Sequence, residues 1–261
     1  MDLGLNGKRA LVLGSSQGIG AEIARVLARE GCNVYVGARR LDHIQSLADE
    51  LSEEFNVDVK AYPIDLSDGI SVEKLCEMIT HEWKIDILLN NAGGPPPSPS
   101  TGVPDEIWES SLQSLLMSTI RLSEAAVKGM RERGWGRILT VASSGVIQPI
   151  PNLAVSNTVR SAVVGFTKTL SNEVAKDGIT VNMVLPGRID TERLASIHEA
   201  SANKQGMTYE EFRDNSRSSI PARRFGTAKE FAEVAVFLMS VCASYITGSV
   251  IRVDGGVIQS V

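Results

Sequence analysis

Short runs of β-branched and aliphatic residues alternate along the whole chain with longer segments whose apolar residues recur at helical spacing. The runs are Ala10–Leu13, Val34–Gly37, Val57–Tyr62, Ile85–Leu89, Arg137–Val141, Thr180–Leu185 and Ser249–Val253. The helical patterns between them are Ile19–Glu30, Leu41–Phe55, Ser71–Trp83, Asp105–Arg133, Leu153–Lys176 and Ala228–Val241. Several runs (ILLN, ITVNMVL) are nearly unbroken hydrophobics, which a strand adopts when both faces of its sheet are covered. The alternation therefore predicts an α/β fold, a doubly wound parallel sheet of about seven strands with helices on both faces. No linker, repeat or change of composition divides the 261 residues, a length ample for one large core, so residues 1–261 read as a single domain.

Composition removes several function classes. Lys plus Arg total 26 against 31 Asp plus Glu, a net charge of −5, so no excess of cations drives binding to nucleic acid. Cys32, Cys76 and Cys242 are widely spaced and form no CxxC pair, and they read as small buried hydrophobes of a reducing compartment. His43, His81 and His198 are equally scattered, so no metal site is expected. Neither a secretory leader nor a membrane span is visible, and the expectation is a cytoplasmic protein.

The first strand leads into Gly14-Ser15-Ser16-Gln17-Gly18-Ile19-Gly20, which opens the first helix. Glycines in such a turn let a diphosphate approach the backbone, and the free N–H groups and positive dipole end of the helix attract it. The strand–turn–helix context makes this a dinucleotide-binding turn of the Rossmann type. At the end of the second strand an NAD-binding domain usually carries an acid for the ribose 2′-hydroxyl. This chain has Ala38-Arg39-Arg40 there. Two guanidiniums suit a 2′-phosphate, which predicts NADP(H) in preference to NAD(H). The stretch Gly93–Gly102, GGPPPSPSTG, leaves the C-terminal end of a strand and reads as a stiff loop forming one wall of a pocket.

From these residues the chain resembles the short-chain dehydrogenase/reductases, and more narrowly their 3-oxoacyl-ACP-reductase-like branch. The resemblance rests on ALVLGSSQGIG, the IDL at Ile64–Leu66, LLNNAG at Leu88–Gly93, GRILTVASS at Gly136–Ser144, VLPGRIDT at Val184–Thr191, and YITGSVIRVDGG near the end. It implies that Asp65 and Leu66 flank the adenine, and that Asn91, Ala92 and Gly93 line the ribose and diphosphate crevice. It further implies that Pro186, Gly187, Ile189 and Thr191 hold the nicotinamide end. A substrate lid at about residues 192–219, a homotetramer and a small-molecule carbonyl or alcohol substrate follow in the same way, with no nucleic-acid or membrane partner.

The catalytic positions depart from the family pattern. Its serine matches Ser143, but its tyrosine falls on Ser156, its lysine on Arg160 and its asparagine on Leu115. A tyrosine beside a lysine can be tuned toward neutrality as a proton donor, whereas a serine hydroxyl is a weaker and shorter acid. Arg160 retains a positive field and can bind ribose, but its planar fork sits differently from an ammonium. Ser156 and Arg160 are one turn apart on a helix whose buried stripe is Val155, Val159, Val163, Phe166 and Leu170, so they share one edge of that stripe. Ser143, Arg160 and Ser156 are the candidate catalytic residues, with Tyr209 in the lid a weaker source of acid. The resulting expectation is an NADP(H)-dependent oxidoreductase with a non-standard proton relay, the alternative being a catalytically silent NADP(H)-binding sensor or assembly partner.

Overall fold

The computed structural model describes residues 1–260. Six strands alternate with helices in the first two thirds of the chain: β1 (Arg9–Leu13), α1 (Gly18–Arg29), β2 (Asn33–Ala38), α2 (Leu41–Phe55), β3 (Val59–Pro63), α3 (Gly69–His81), β4 (Ile87–Asn90), α4 (Asp105–Ser111), α5 (Ser118–Arg133), β5 (Gly136–Val141), α6 (Ala154–Val174) and β6 (Ile179–Pro186). The remainder holds a two-residue strand β7 (Ile189–Asp190), α7 (Glu192–Gln205), α8 (Tyr209–Ser218), β8 (Gly226–Thr227), α9 (Ala228–Leu238) and β9 (Val250–Val253). Seven strands form one parallel sheet in the order β3-β2-β1-β4-β5-β6-β9, while β7 and β8 pair separately. All seven runs read from the sequence are strands of this sheet.

Alternation along each strand sends side chains into two cores. Ala10 and Val12 of β1 join Ile87 and Leu89 of β4 under α1, α2 and α9, where Ile23, Leu27, Ile44, Leu51 and Phe231 are fully buried. Leu11, Leu13 and Leu88 point the other way, against Leu75, Leu122 and Met130 of α3 and α5. Burying each such side chain contributes about 1.5–3 kcal/mol, which explains why strands with no polar face hold the centre of the sheet. The order reverses between β1 and β4, and a crevice outside the C-terminal ends of those strands is where an open sheet of this kind binds its ligand.

Three local readings need correction. The single helical pattern Asp105–Arg133 is interrupted: Leu112–Met117 forms a π-helical turn in which the Ser118 N–H reaches back five residues to the Gln113 carbonyl. The periodicity of side chains survives one wider turn, so the pattern hides it. The expected burial of all three cysteines holds for Cys32 alone; Cys76 is half-buried, and Cys242 is exposed because it lies in a short surface turn with its Sγ 3.2 Å from the Asp2 carbonyl oxygen. The third strand begins at Val59 instead of Val57, after Asn56 ends α2 in the left-handed region. No helix of the described residues is long and apolar enough to cross a membrane, and among them no group of His, Cys, Asp and Glu could hold a metal ion.

Candidate active site

The glycine turn is built by close backbone packing. A methyl at position 20 would lie 2.2 Å from the Gly14 carbonyl oxygen, so only glycine lets α1 start this near to β1. Asn91, just beyond β4, donates from Nδ2 to that same Gly14 oxygen at 3.3 Å and ties the two strand ends at the point where the order reverses. The N-terminus of α1 is left free for a ligand: its N-cap, Gln17, makes no side-chain capping bond, and the first turn carries no acid. Ser15 is fully buried and holds β2 through Gly37, whereas Ser16 and Ile19 remain partly accessible in the turn. The residues present thus fit a dinucleotide diphosphate.

At the end of β2, Ala38 is buried while Arg39 and Arg40 are exposed. Arg40 Nη2 donates to Gln17 Oε1 at 2.6 Å, which brings its guanidinium onto the glycine turn. Asp65, beyond β3, accepts from the backbone N–H and hydroxyl of Ser67 at 2.9 and 2.7 Å. Burial alone would raise its carboxyl, but those two bonds and the nearby charge of Arg39 hold it below the usual carboxylate range. Leu66 packs beside it on the α3 side of the sheet.

On the opposite wall, Gly187 follows β6 and donates its N–H to the Val253 carbonyl at 2.9 Å, after Pro186 has ended the strand. Ile189 is buried in the small β7–β8 pair. Thr191 caps α7 by accepting from the Leu194 N–H, and its methyl lies 3.5 Å from where a Cβ of Gly18 would be. The segment 186–191 therefore closes onto the glycine turn, although Thr191 and Gly18 are 173 positions apart in sequence.

The candidate catalytic residues gather on the wall between β4, β5 and α6. Ser143, two residues past the end of β5, accepts from the Gly145 N–H at 3.1 Å, which occupies a lone pair and leaves its O–H free to donate outward. Ser156 is only 7% exposed and Arg160 only 9%, so neither is a solvated surface residue. Arg160 donates from Nη1 to the Val141 carbonyl at 3.1 Å and from Nη2 to the Ala92 carbonyl at 3.4 Å, bridging β5 to the loop after β4. Burial, with a smaller contribution from the charge of Arg193, pushes its guanidinium down to about 10, and it stays cationic at neutral pH. Ser156 makes no side-chain hydrogen bond among the described residues, in contrast to Ser143 and Arg160.

Leu115 sits in the π-helical turn and packs against Val155 and Val159 of α6. The wider turn displaces carbonyls from the regular ladder, and hydroxyls one turn on take them up: Ser118 Oγ donates to the Ser114 oxygen at 2.6 Å and Thr119 Oγ1 to the Leu115 oxygen at 2.8 Å. Leu115, Asn90, Thr119, Thr140 and Arg160 border a cavity of about 20 Å³ beneath the site. Above it, the loop after β4 is fastened to the start of α6, with the Ser98 N–H donating to the Asn152 carbonyl at 2.8 Å and the Ala154 N–H to the Ser98 carbonyl at 3.2 Å. The loop Gly93–Gly102 is thus fixed beside the helix that carries Ser156 and Arg160.

Two features escaped the sequence. One is the π-helical turn; the other is Arg193, at the start of α7, whose Nη2 lies 3.5 Å from the Gly94 carbonyl oxygen on the same wall as Arg160. A charged residue in a polar, lid-like segment carries no signal of its own. Tyr209 accepts from Arg213 of its own helix at 3.2 Å, and Arg213 pairs with Asp190 at 3.0 Å.

Known proteins resemble this chain along nearly its whole length. Residues 14–258 match the family described as enoyl-(acyl carrier protein) reductase. The chain is 34% identical over 257 residues to the 3-oxoacyl-(acyl-carrier-protein) reductase FabG of Escherichia coli, covering 97% of this chain and 98% of that protein. Among solved structures it is similar to L-sorbose reductase from Gluconobacter frateurii complexed with NADPH and L-sorbose, with a TM-score of 0.94, 34% identity and complete coverage of both chains. It is also similar to YwfH, described as an NADPH-dependent reductase involved in bacilysin biosynthesis, with a TM-score of 0.93, 29% identity and coverage of 98% of this chain and 100% of that one. Family match, identity and topology together establish that the chain belongs to the short-chain dehydrogenase/reductase family.

Proposed function

We propose that this protein is an NADP(H)-dependent oxidoreductase that interconverts a small-molecule carbonyl compound and its alcohol through a site built on Ser143 and Arg160, with Ser156 beside them. The observation that carries the reading is the contact between Arg40 and Gln17, which sets a cation at the glycine turn where an NAD-binding site has an acid. Gly14, Ser15, Ser16, Gly18, Ile19 and Gly20 would receive the diphosphate, and Arg39 and Arg40 the 2′-phosphate. Asp65 and Leu66 would border the adenine, Asn91, Ala92, Gly93 and Arg160 the ribose, and Pro186, Gly187, Ile189 and Thr191 the nicotinamide. Relatives described as complexed with NADPH or dependent on it support the assignment.

When bound, a nicotinamide supplies or accepts the hydride. The chain's own part is to hold the substrate oxygen. Ser143 offers its free O–H to that oxygen, and the buried cation of Arg160 stabilises negative charge as it develops there, in surroundings where the field is stronger than in water. No phenol occupies position 156, so the proton that completes the alcohol comes from water, and positioning supplies the larger share of the rate. Residues 192–219, the two helices α7 and α8, act as the lid. Assembly as a homotetramer in a reducing cytoplasm belongs to the same reading and is tested by light scattering.

The experiment is titration calorimetry with NADPH and NADH, followed by NADPH oxidation with a panel of ketones, aldehydes and sugars. Tighter binding of NADPH, with turnover that falls in Ser143→Ala, supports the proposal; equal affinity for NADH sinks the cofactor assignment. One observation favours a silent binder instead: Leu115, Val155 and Val159 make an apolar cluster where the family places part of its proton relay. That reading predicts tight NADPH binding, with no substrate of the panel turned over faster than by a Ser143→Ala, Arg160→Ala double variant.

A further inference from the structure

Arg160 and Arg193 come from different elements, α6 and α7, and converge on one glycine. A Cβ built at Gly94 would lie 2.9 Å from Arg193 Nη2 and 3.7 Å from Arg160 Nη2. Both side chains contact only backbone oxygens here, Val141 and Ala92 for Arg160 and Gly94 for Arg193, and neither enters an ion pair among the described residues. Arg213, on the neighbouring helix α8, is by contrast neutralised by Asp190. Two facing guanidiniums repel each other, and Arg160 is desolvated as well, so an anion placed between them relieves both costs.

The position says what kind of anion. Gly94 leaves the C-terminal end of β4 at the point where the sheet order reverses, and it presents no side chain to the space between the two cations. Arg160 uses two of its five N–H donors on carbonyls, and the rest of its fork, with that of Arg193, can receive a planar two-oxygen acceptor. The place lies at the Val141 carbonyl, two residues before Ser143, and at the start of α7. We propose that Arg160 and Arg193 form a clamp for a carboxylate carried by the substrate, so that the protein acts on carbonyl acids or hydroxy acids in preference to neutral ketones or sugars. This rests on the oxidoreductase reading for its chemistry, but the anion site can be measured without it.

Binding of 2-oxobutyrate and of its methyl ester is measured by calorimetry on the full-length protein, with and without NADP⁺, for the unaltered chain and for Arg193→Gln and Arg193→Lys. Arg193 is exposed at the start of a helix, so these variants leave the core untouched. The expected result is binding of the acid and not of the ester, weakened about tenfold or more in Arg193→Gln and partly kept in Arg193→Lys, because a charge-assisted bond is lost in the first and a fork in the second. NADPH affinity stays the same in both variants. If the acid binds no better than the ester, or if Arg193→Gln leaves acid binding intact, the clamp is overturned. If instead the variant weakens NADPH and not 2-oxobutyrate, Arg193 serves the cofactor diphosphate and the proposal also fails. Failure of the oxidoreductase reading looks different: the acid still binds, with no NADPH association and no turnover.

Discussion

Arg40 Nη2 lies 2.6 Å from Gln17 Oε1, joining the end of β2 to the turn between β1 and α1. Gln17 is the N-cap of α1 yet makes no capping bond, so its amide serves the arginine and the helix N-terminus stays open. The contact joins two neighbouring surface features into one cationic rim beside the glycine turn, where the proposed reading puts the adenosine 2′-phosphate. The Arg39→Ala, Arg40→Ala double variant is expected to weaken NADPH binding by about 10–100-fold, the cost of losing charge-assisted bonds to a phosphate, while NADH binding stays within a factor of a few. Calorimetry with both nucleotides decides it, and a proportional loss of both would show that the arginines shape the turn instead of reading the phosphate.

The pH profile of turnover follows from the groups at the site. Serines do not titrate in water near neutrality, and Arg160, held at about 10 by burial and then by the charge of Arg193, is cationic below that value. Its charge, and with it the oxygen stabilisation proposed for it, is present throughout the neutral range and is lost only as pH rises toward 10. Initial kcat/KM is therefore expected to be flat from about pH 6 to about pH 8.5, given that no side chain assigned to the chemistry has a reference value there. Arg160→Lys should retain more than a tenth of the activity, and Arg160→Gln should lose it about 100-fold or more. A limb with an apparent pKa near 7 would require an acid–base group other than these.

The sheet was legible because its strands are apolar on both faces: Val12 and Leu13 of β1 point into opposite cores, and that demand shows directly in the sequence. The glycine turn was legible for the same local reason, since Gly20 is dictated by the Gly14 carbonyl one turn away. Arg160 could be placed by counting along one helix from Ser156. What stayed hidden depends on distant partners. The approach of Thr191 to Gly18, of Arg193 to Gly94 and of Arg40 to Gln17 joins segments that only the packed structure brings together. The π-helical turn at Leu112–Met117 was hidden differently: its extra residue is accommodated by Ser118 and Thr119 hydroxyls, which are common in ordinary helices too.

His198 couples α7 and α8. It is buried on α7, with Nε2 3.1 Å from Ser216 Oγ of α8, and its ring packs on Phe212 and Phe225. Burial first, and then the charges of Arg188 and Arg213, lower its pKa, with Asp190 opposing. A histidine with a lowered folded value binds its proton more readily when unfolded, so stability is lost as pH falls below the unfolded value of about 6.5 and is unaffected above it. Thermal melts between about pH 8 and pH 5.5 should show a decline at the acid end that is shallower in His198→Phe. An identical slope in the variant would mean that other groups govern the acid response.

Arg137 tests what holds the opposite end of the sheet. It is buried at the start of β5, donating from Nε to the Ser240 carbonyl at 3.0 Å and from Nη1 to those of Gly136 and Gly178 at 2.8 and 3.1 Å, with its guanidinium 4.4 Å from the Trp135 ring centroid. Two effects compete when it is replaced. Removing a buried cation recovers desolvation energy, since burial alone pushes this guanidinium down to about 10. Against that, the carbonyls of Gly136 on β5 and Ser240 after α9 lose their donor where they are buried, at about 1–3 kcal/mol for each group left without a partner, while that of Gly178 is in an exposed turn and can take water instead. With two buried acceptors against one cation, the lost bonds win. Arg137→Met, which keeps the length of the side chain and its contact with Trp135, is expected to be destabilised by about 2–4 kcal/mol in urea unfolding with the m-value unchanged. Cofactor affinity should be unaltered at temperatures where the variant is folded, because the residue lies at the end of β5 away from Ser143. A methionine variant as stable as the parent would show that desolvation of the cation, and not its three hydrogen bonds, dominates at this position.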